Sequence, residues 1–392
     1  MNIPYRFKIN TSSFAHYWTE GIGKELLTKL GFTPNIDKAK EFIPLLYQWD
    51  QRADQVIIEL YTTSGIQEVN KSMLKYMNNQ PLDSDQYTVW NDFFSHIDFN
   101  PPWIDWSKIK KGSELCRRPG LTSLIVLRDY CLMGGYESAA INKPLIYTGA
   151  LKKGAVKRLV DTVEFWVQIT KDNSLKQRGE GFKQIFLTRM IHAYARVNII
   201  QKSDWDAQKW GIPLNSSDML ATNLGFSLVF MVGLERMGIR ISQEEKEGVY
   251  HFWKYIGYLL GIPLELLPNN EQEAIESLYY WTMTQREGDA DTLLLAAALK
   301  DEPLMAKYPT NPMMRKMMRE IHLFYNHYLL GPYSCNLLGL PSTTIGRFGI
   351  INIWRTKQQE NRITDESSRQ KAITEGGNEQ EQVRQIYQKY NS

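Results

Sequence analysis

The chain has 392 residues, 43% of them hydrophobic, so it is long enough for one large or two ordinary globular domains. Its net charge of +3, from 46 Lys and Arg against 43 Asp and Glu, is too balanced for a nucleic-acid-binding surface. The 3 cysteines have no paired spacing, which indicates reduced thiols rather than a disulfide framework. No apolar run reaches the roughly 18 residues of a membrane span, and no signal-peptide pattern is present, so we expect a cytoplasmic protein without a membrane span.

Residues 1–110 contain short amphipathic segments separated by turns, which predicts a helical extension packed on a main domain. A cluster of acids beginning at Asp83 is typical of a helix N-cap, and Trp90 and Phe94 follow on one side of that helix. The indole-rich turn at residues 100–106 marks a boundary near residue 110.

Stronger helical periodicity follows and predicts a main domain over residues 111–355. Residues 218–237 are predicted to form a buried apolar helix that Asn215 or Ser216 can cap and that ends at Gly238, and the Ser242-x-x-Glu245 pattern is a capping box at the start of another helix. No segment alternates polar and apolar residues with a period of two, so the predicted fold class is all-α. From Thr356 the composition becomes polar, which predicts a flexible tail over residues 356–392 with at most a short helix near its end.

Three side chains of one predicted helix form the most informative pattern. Arg189, His192 and Arg196 are spaced i, i+3 and i+7, so they project from one face. Like charges disfavour protonation of an imidazole, so His192 should be neutral and able to bind a metal, while the two guanidiniums need anions. A haem would supply an iron for His192 and propionates for the arginines. The plain alternative is a core histidine between two surface arginines.

Several further motifs occur in order along the same region. They are Thr148-Gly149-x-Leu151, Arg158-x-x-x-Thr162, Gly179-x-Gly181, Arg189-x-x-His192-Ala193-x-x-Arg196, Trp205-Asp206, Gly211-x-Pro213-x-Asn215-x-x-Asp218, Trp253-x-Tyr255-x-Gly257-x-x-Leu260-Gly261 and Leu267-Pro268. This string, over about residues 110–270, resembles the latex-clearing-protein and MpaB-type oxygenase family.

The resemblance implies an all-α, globin-like core that encloses a non-covalent haem b. It implies that His192 is the proximal iron ligand and that Arg189 and Arg196 flank it. It also implies that Arg158 and Thr162 correspond to the pair of residues that lines the distal side of the haem in latex-clearing proteins. The residue chemistry agrees, because a guanidinium can polarise bound oxygen and a hydroxyl can donate a hydrogen bond to it.

The chain departs from the family pattern at three points. Asp161 occupies the position of a lysine that can cap the iron in rubber-cleaving members. The family's pocket glutamate has no clear counterpart: Glu137 is the nearest acid, whereas Asn142 lies closer to the expected spacing. The secretion signal of rubber-degrading members is missing, which favours a small intracellular substrate over polymeric rubber.

The sequence therefore predicts a haem-dependent oxygenase that uses O2 to cleave a C=C bond of, or to hydroxylate, a small apolar and isoprenoid-like molecule. Arg158, Thr162 and Glu137 are the candidate catalytic residues; Arg189, His192 and Arg196 would hold the cofactor. A haem-binding sensor or carrier without turnover is the second hypothesis, and a helical scaffold with a buried His192 is the third. His251 is a core residue, a supporting partner or an alternative ligand.

Overall fold

The computed structural model describes residues 3–9, 12–149 and 154–391, and these residues form helices and turns with no strand among them. The predicted all-α class is confirmed. Leu151 of the first motif lies outside the described residues. The two caps predicted near the middle of the chain are present. The Asn215 side chain accepts a hydrogen bond from the Asp218 amide, and Ser242 and Glu245 form a complete capping box.

The main helices, in chain order, are α1 (Ser13–Thr19), α2 (Ile22–Leu30), α3 (Gln51–Met77), α4 (Ser84–Ser95), α5 (Trp106–Arg117), α6 (Leu121–Val126), α7 (Ala139–Tyr147), α8 (Ala155–Thr170), α9 (Glu180–Lys202), α10 (Ser216–Arg236), α11 (Gln243–Leu259), α12 (Glu271–Met283), α13 (Ala290–Lys300), α14 (Pro312–Leu337), α15 (Gly349–Asn361) and α16 (Glu366–Asn391). A π-helical turn, Leu127–Leu132, continues α6, and a second one, Gly225–Val229, lies inside α10.

The helix that carries His192, α9, is held between α3 and α8. Its buried side contains Phe182, Phe186 and Met190, which belong to one apolar core shared with α3, α4, α10 and α11. Burial of apolar surface of this kind supplies most of the stabilisation of a helix in a protein. The N-terminal extension thus packs directly on the helix of interest.

Helix α10 is apolar and long enough to cross a membrane. However, 72% of its most apolar window is buried inside the protein, against neighbouring helices. That burial is typical of a core helix, in agreement with the interpretation of its sequence as a buried helix.

The C-terminal segment differs from its prediction. In place of a flexible tail, the structure has the helix α16, which packs against α8 and α5. The buried amide of Gln380 donates hydrogen bonds to the carbonyls of Cys116 and Gly120, at 3.0 and 3.1 Å, and accepts one from the Trp166 indole at 3.1 Å. The segment is too polar to fold alone, but a few buried side chains suffice to dock it on an existing core, so the prediction of a flexible tail is corrected.

Candidate functional site

His192 lies where α9 faces the start of α3, the end of α11 and the link before α10. The residue is only partly buried, but its Nδ1 atom is buried and has no hydrogen-bond partner among the described residues. Burial first, and then the positive charge of Arg196, lower the pKa of His192 from 6.5 to about 4, against the opposing effect of Asp50. The imidazole is therefore neutral at physiological pH, although burial contributes more to this than the flanking cations do.

Arg189 is bound by a carboxylate of the N-terminal extension. Its Nε and one terminal nitrogen donate to Asp50 at 2.6 and 2.9 Å, in a two-point contact. The other terminal nitrogen donates to the Leu259 carbonyl at 3.0 Å, which ties α9 to the end of α11. Asp50 is also the N-cap of α3, so one carboxylate fixes the start of that helix and the guanidinium together.

Arg196 has an equivalent partner one turn into α3. Its Nε and a terminal nitrogen donate to Asp54 at distances of 2.7 to 3.0 Å. Its remaining donors reach the carbonyls of Leu214 and Asp50, each at 3.2 Å. The sequence predicted contacts of Arg189 and Arg196 with haem propionates. In the structure each guanidinium instead binds a protein carboxylate, because the start of α3 brings Asp50 to Arg189 and Asp54 to Arg196.

Gly261 allows this close approach of three segments. Its φ of +86° lies in the left-handed region, and an added Cβ would lie 2.6 Å from an Asp50 carboxylate oxygen and 3.0 Å from a nitrogen of Arg189. A larger residue would displace the ion pair. The Leu260-Gly261 motif therefore has a steric role beside His192.

The cavity beside His192 measures about 10 Å³, room for about one water molecule. Its walls are Trp49, Asp50, Arg196, Leu214, Ser216, Met219, Leu260, Gly261 and Ile262. A neutral imidazole with an unpartnered buried nitrogen fits the donor chemistry of an iron ligand. The space beside it in this conformation does not admit a macrocycle, so a haem at this position requires the surrounding segments to separate.

Arg158 and Thr162 lie near the start of α8 and are partly buried. The Arg158 guanidinium donates to the Tyr136 hydroxyl at 2.6 Å and lies over that ring at 5.2 Å from its centroid. The Thr162 hydroxyl donates to the Arg158 carbonyl one turn back, at 2.8 Å. Asp161 is exposed and pairs with Lys157, so it faces solvent.

Helices α8 and α9 are consecutive and pack against each other. Thr170 ends α8 and Glu180 begins α9, and both Arg158 and His192 lie 12 residues from that junction. At 1.5 Å per residue each lies about 18 Å along its helix. The described residues show no hydrogen bond or ion pair between His192 and either Arg158 or Thr162, so the structure places them on neighbouring helices without a polar contact between them.

Glu137 is buried in the turn before α7, and burial raises its pKa from 4.5 to about 7, against the effect of a hydrogen bond with Ser334. That partner belongs to α14. Asn142, the alternative for the family's pocket glutamate, is buried and donates to the Tyr136 carbonyl and the Thr292 hydroxyl at 2.8 and 3.0 Å. Tyr136, which belongs to none of the sequence motifs, therefore binds both residues: its hydroxyl accepts from Arg158 and its carbonyl accepts from Asn142.

The other histidines have structural partners. The Nε2 atom of His251 accepts a hydrogen bond from the Asp105 amide at 2.7 Å, which favours the supporting-partner interpretation over a ligand. His322 Nδ1 bonds to Asp129 at 2.6 Å. Among the described residues, no group of three His, Cys, Asp or Glu side chains is arranged to hold a metal ion.

Comparisons with known proteins agree with the motif string. Residues 121–351, more than half of the chain, match the family described as ER-bound oxygenase mpaB/B'/Rubber oxygenase, catalytic domain. The fold is similar to a solved structure entitled "Structure of Latex Clearing Protein LCP in the closed state", with a TM-score of 0.63 and 18% identity over 85% of this chain and 91% of that one. No curated protein matches the sequence significantly.

Proposed function

Because the chain belongs to the MpaB and rubber oxygenase catalytic-domain family, and is therefore an oxygenase, we propose that it depends on haem b and oxidises a small apolar, isoprenoid-like substrate with O2. The proposal includes a globin-like enclosure of the cofactor and either cleavage of a C=C bond or hydroxylation. The observation that carries it is the neutral His192 imidazole, whose buried Nδ1 lacks a partner. When bound, the haem would supply the iron at which O2 is activated.

The residues of the chain prepare this ligand in two ways. Burial keeps His192 neutral, so no proton competes for its lone pair at physiological pH. The pairs Arg189–Asp50 and Arg196–Asp54 fix α9 against α3 on either side of the histidine, which limits rotation of the helix. In this proposal the two arginines position the ligand helix, and their contact with propionates is a further step that needs the carboxylates to be displaced.

Arg158 and Thr162 supply the polar groups of the substrate side. The Tyr136 hydroxyl holds the Arg158 guanidinium in place and leaves its other donors for developing negative charge. Thr162 must turn its hydroxyl away from the Arg158 carbonyl before it can donate to oxygen. Glu137, with its pKa near 7, can hold or release a proton, but its bond to Ser334 directs it toward α14.

The test begins with absorption spectra of the purified protein, oxidised, reduced and reduced with CO. We expect a Soret band that is lost in His192→Ala and kept in His251→Ala, the matched control, because the ring of His251 is already engaged with the Asp105 amide. O2 uptake that depends on an added terpenoid, and that falls about 100-fold in Arg158→Ala, indicates an oxygenase. A Soret band without substrate-dependent uptake indicates the sensor or carrier instead. Full haem content in His192→Ala contradicts the ligand assignment.

A further inference from the structure

The segment from the turn before α15 into that helix exposes an unusual set of large apolar side chains. The exposed fractions are 58% for Ile345, 63% for Phe348, 60% for Ile350, 59% for Ile351 and 64% for Trp354. We call these five residues the apolar ridge. Isolated exposed apolar residues are ordinary on protein surfaces, but a contiguous group of five within ten residues marks an interaction surface.

The side of the segment opposite the ridge is packed against the rest of the protein. The residues Gly346, Gly349, Ile353 and Thr356 are buried, at a spacing that places them on the opposite side of the segment. A Cβ added at Gly346 would lie 2.0 Å from the Glu320 carbonyl, so the turn rests directly on the backbone of α14. The same segment therefore uses one face for the fold and leaves a second apolar face to solvent.

Helix α14 extends the apolar surface beyond the ridge. Met313 and Met317 are 78% and 44% exposed, and they lie on the α14 stripe that leads to Glu320, where the ridge is attached. Unbranched methionine side chains adapt to irregular partners. The exposed surface thus combines a rigid ridge with flexible neighbours.

The sequence segment that carries the ridge has only basic charges. From Ile321 to Gln359 the sequence contains Arg347, Arg355 and Lys357 and no Asp or Glu. All three cations are exposed, and Arg355 has only a long contact, 3.5 Å, with Glu379. Aromatic and aliphatic residues bordered by basic ones are the composition of segments that insert into the interface of an anionic bilayer.

We propose that the apolar ridge docks the protein on the surface of a membrane that contains anionic lipid. Ile345, Phe348, Ile351 and Trp354 enter the headgroup boundary, and Arg347, Arg355 and Lys357 contact lipid phosphates. The attachment is peripheral and involves no membrane-spanning helix. It places an enzyme for apolar substrates where such molecules concentrate, but its test needs neither haem nor turnover.

The experiment is flotation of the full-length protein with vesicles of phosphatidylcholine alone or with phosphatidylserine added. We expect binding that rises with phosphatidylserine, weakens with salt and falls at least about tenfold in the double variant F348S/W354S. The matched control I58S/Y87S removes two side chains of α3 and α4 that are 45% and 54% exposed, and it should bind as the unchanged protein does.

A second measurement keeps the proposal testable if the double variant folds poorly. Quenching of Trp fluorescence by brominated lipid should occur in the unchanged protein and be lost in Trp354→Phe, although that variant still floats with the vesicles. No flotation with either vesicle, or equal flotation of F348S/W354S, overturns the proposal. So does a concentration-dependent dimer that F348S/W354S abolishes, since the ridge would then be covered by a second copy of the chain.

Discussion

At the scale of single residues, the surroundings of His192 are defined by carboxylates that lie far away in the sequence. Asp50 caps α3 and Asp54 lies one turn further along; they pair with Arg189 and Arg196, which stand two turns apart on α9 on either side of His192. Both guanidiniums are almost completely buried, so each depends on its partner for compensation of its charge. The neutral imidazole between them is the one group of the set with an unpartnered buried nitrogen.

The Arg196–Asp54 pair gives a first prediction for stability. Asp54→Ala should lower the free energy of unfolding by about 3 to 5 kcal/mol, because it leaves a buried guanidinium uncompensated. Arg196→Met combined with Asp54→Ala should cost clearly less than the sum of the single changes. Urea unfolding of the unchanged protein, the two single variants and the double variant measures this.

The control is Glu68→Ala, which breaks an exposed pair with Lys71 and should change the free energy of unfolding by no more than about 1 kcal/mol. Additive effects of the changes at Arg196 and Asp54 would refute the coupling.

Glu137 gives a prediction for pH dependence. Its folded-state pKa of about 7 lies above the ordinary value of 4.5, so between these pH values the folded state binds more protons than the unfolded state. Stability from this group is present below pH 4.5 and is lost as the pH rises through 7. Relative to the unchanged protein, Glu137→Gln should therefore gain about 1 to 3 kcal/mol on going from about pH 4.5 to about pH 8. Urea unfolding at both values tests it, and a pH-independent difference contradicts the shift.

At the scale of elements, the informative case is α16. Its sequence has few large apolar residues, yet Ile373 and Gln380 are buried against the body of the protein. The Gln380 amide donates additional hydrogen bonds to the Cys116 and Gly120 carbonyls, at the junction of α5 and α6, and accepts one from the Trp166 indole. Gln380 thus attaches the polar helix α16 to the protein through hydrogen bonds more than through burial of apolar surface.

Removal of the Gln380 hydrogen bonds should destabilise the protein. Gln380→Ala leaves the buried Trp166 indole without its hydrogen-bond partner, while the Cys116 and Gly120 carbonyls keep their bonds from Ser123, and we expect a loss of about 1 to 3 kcal/mol. Gln370→Ala, on an exposed part of α16, should stay within about 0.5 kcal/mol. Thermal unfolding followed by circular dichroism distinguishes the two. Equal melting temperatures for both variants would mean that α16 contributes little.

At the scale of the whole molecule, the N-terminal extension and the main domain share buried charges. In addition to Asp50 and Asp54, the extension contributes Arg6. This arginine is buried and donates to both carboxylate oxygens of Asp218, at 2.8 and 2.5 Å. The boundary predicted near residue 110 therefore separates partners of three buried ion pairs. These contacts make the two regions interdependent for stability.

This interdependence predicts the behaviour of a fragment. A chain of residues 111–392 loses Arg6, Asp50 and Asp54, so Arg189, Arg196 and Asp218 lose their ion-pair partners. We expect it to lack a cooperative unfolding transition, and limited proteolysis should degrade it rapidly, while the full chain resists. A fragment that unfolds cooperatively would show that the extension is a separable domain.

Periodicity, capping and motif spacing were enough to predict the fold class, a cap at Asn215 or Ser216, the capping box at Ser242, the family and the helix that carries His192, because these signals are local in the chain. Tertiary packing alone set the partners of Arg189 and Arg196, the hydroxyl of Tyr136 beside Arg158 and the docking of α16. In each case the interacting groups lie tens to hundreds of residues apart. A sequence shows which charges need a partner, but not which distant group packing brings within reach.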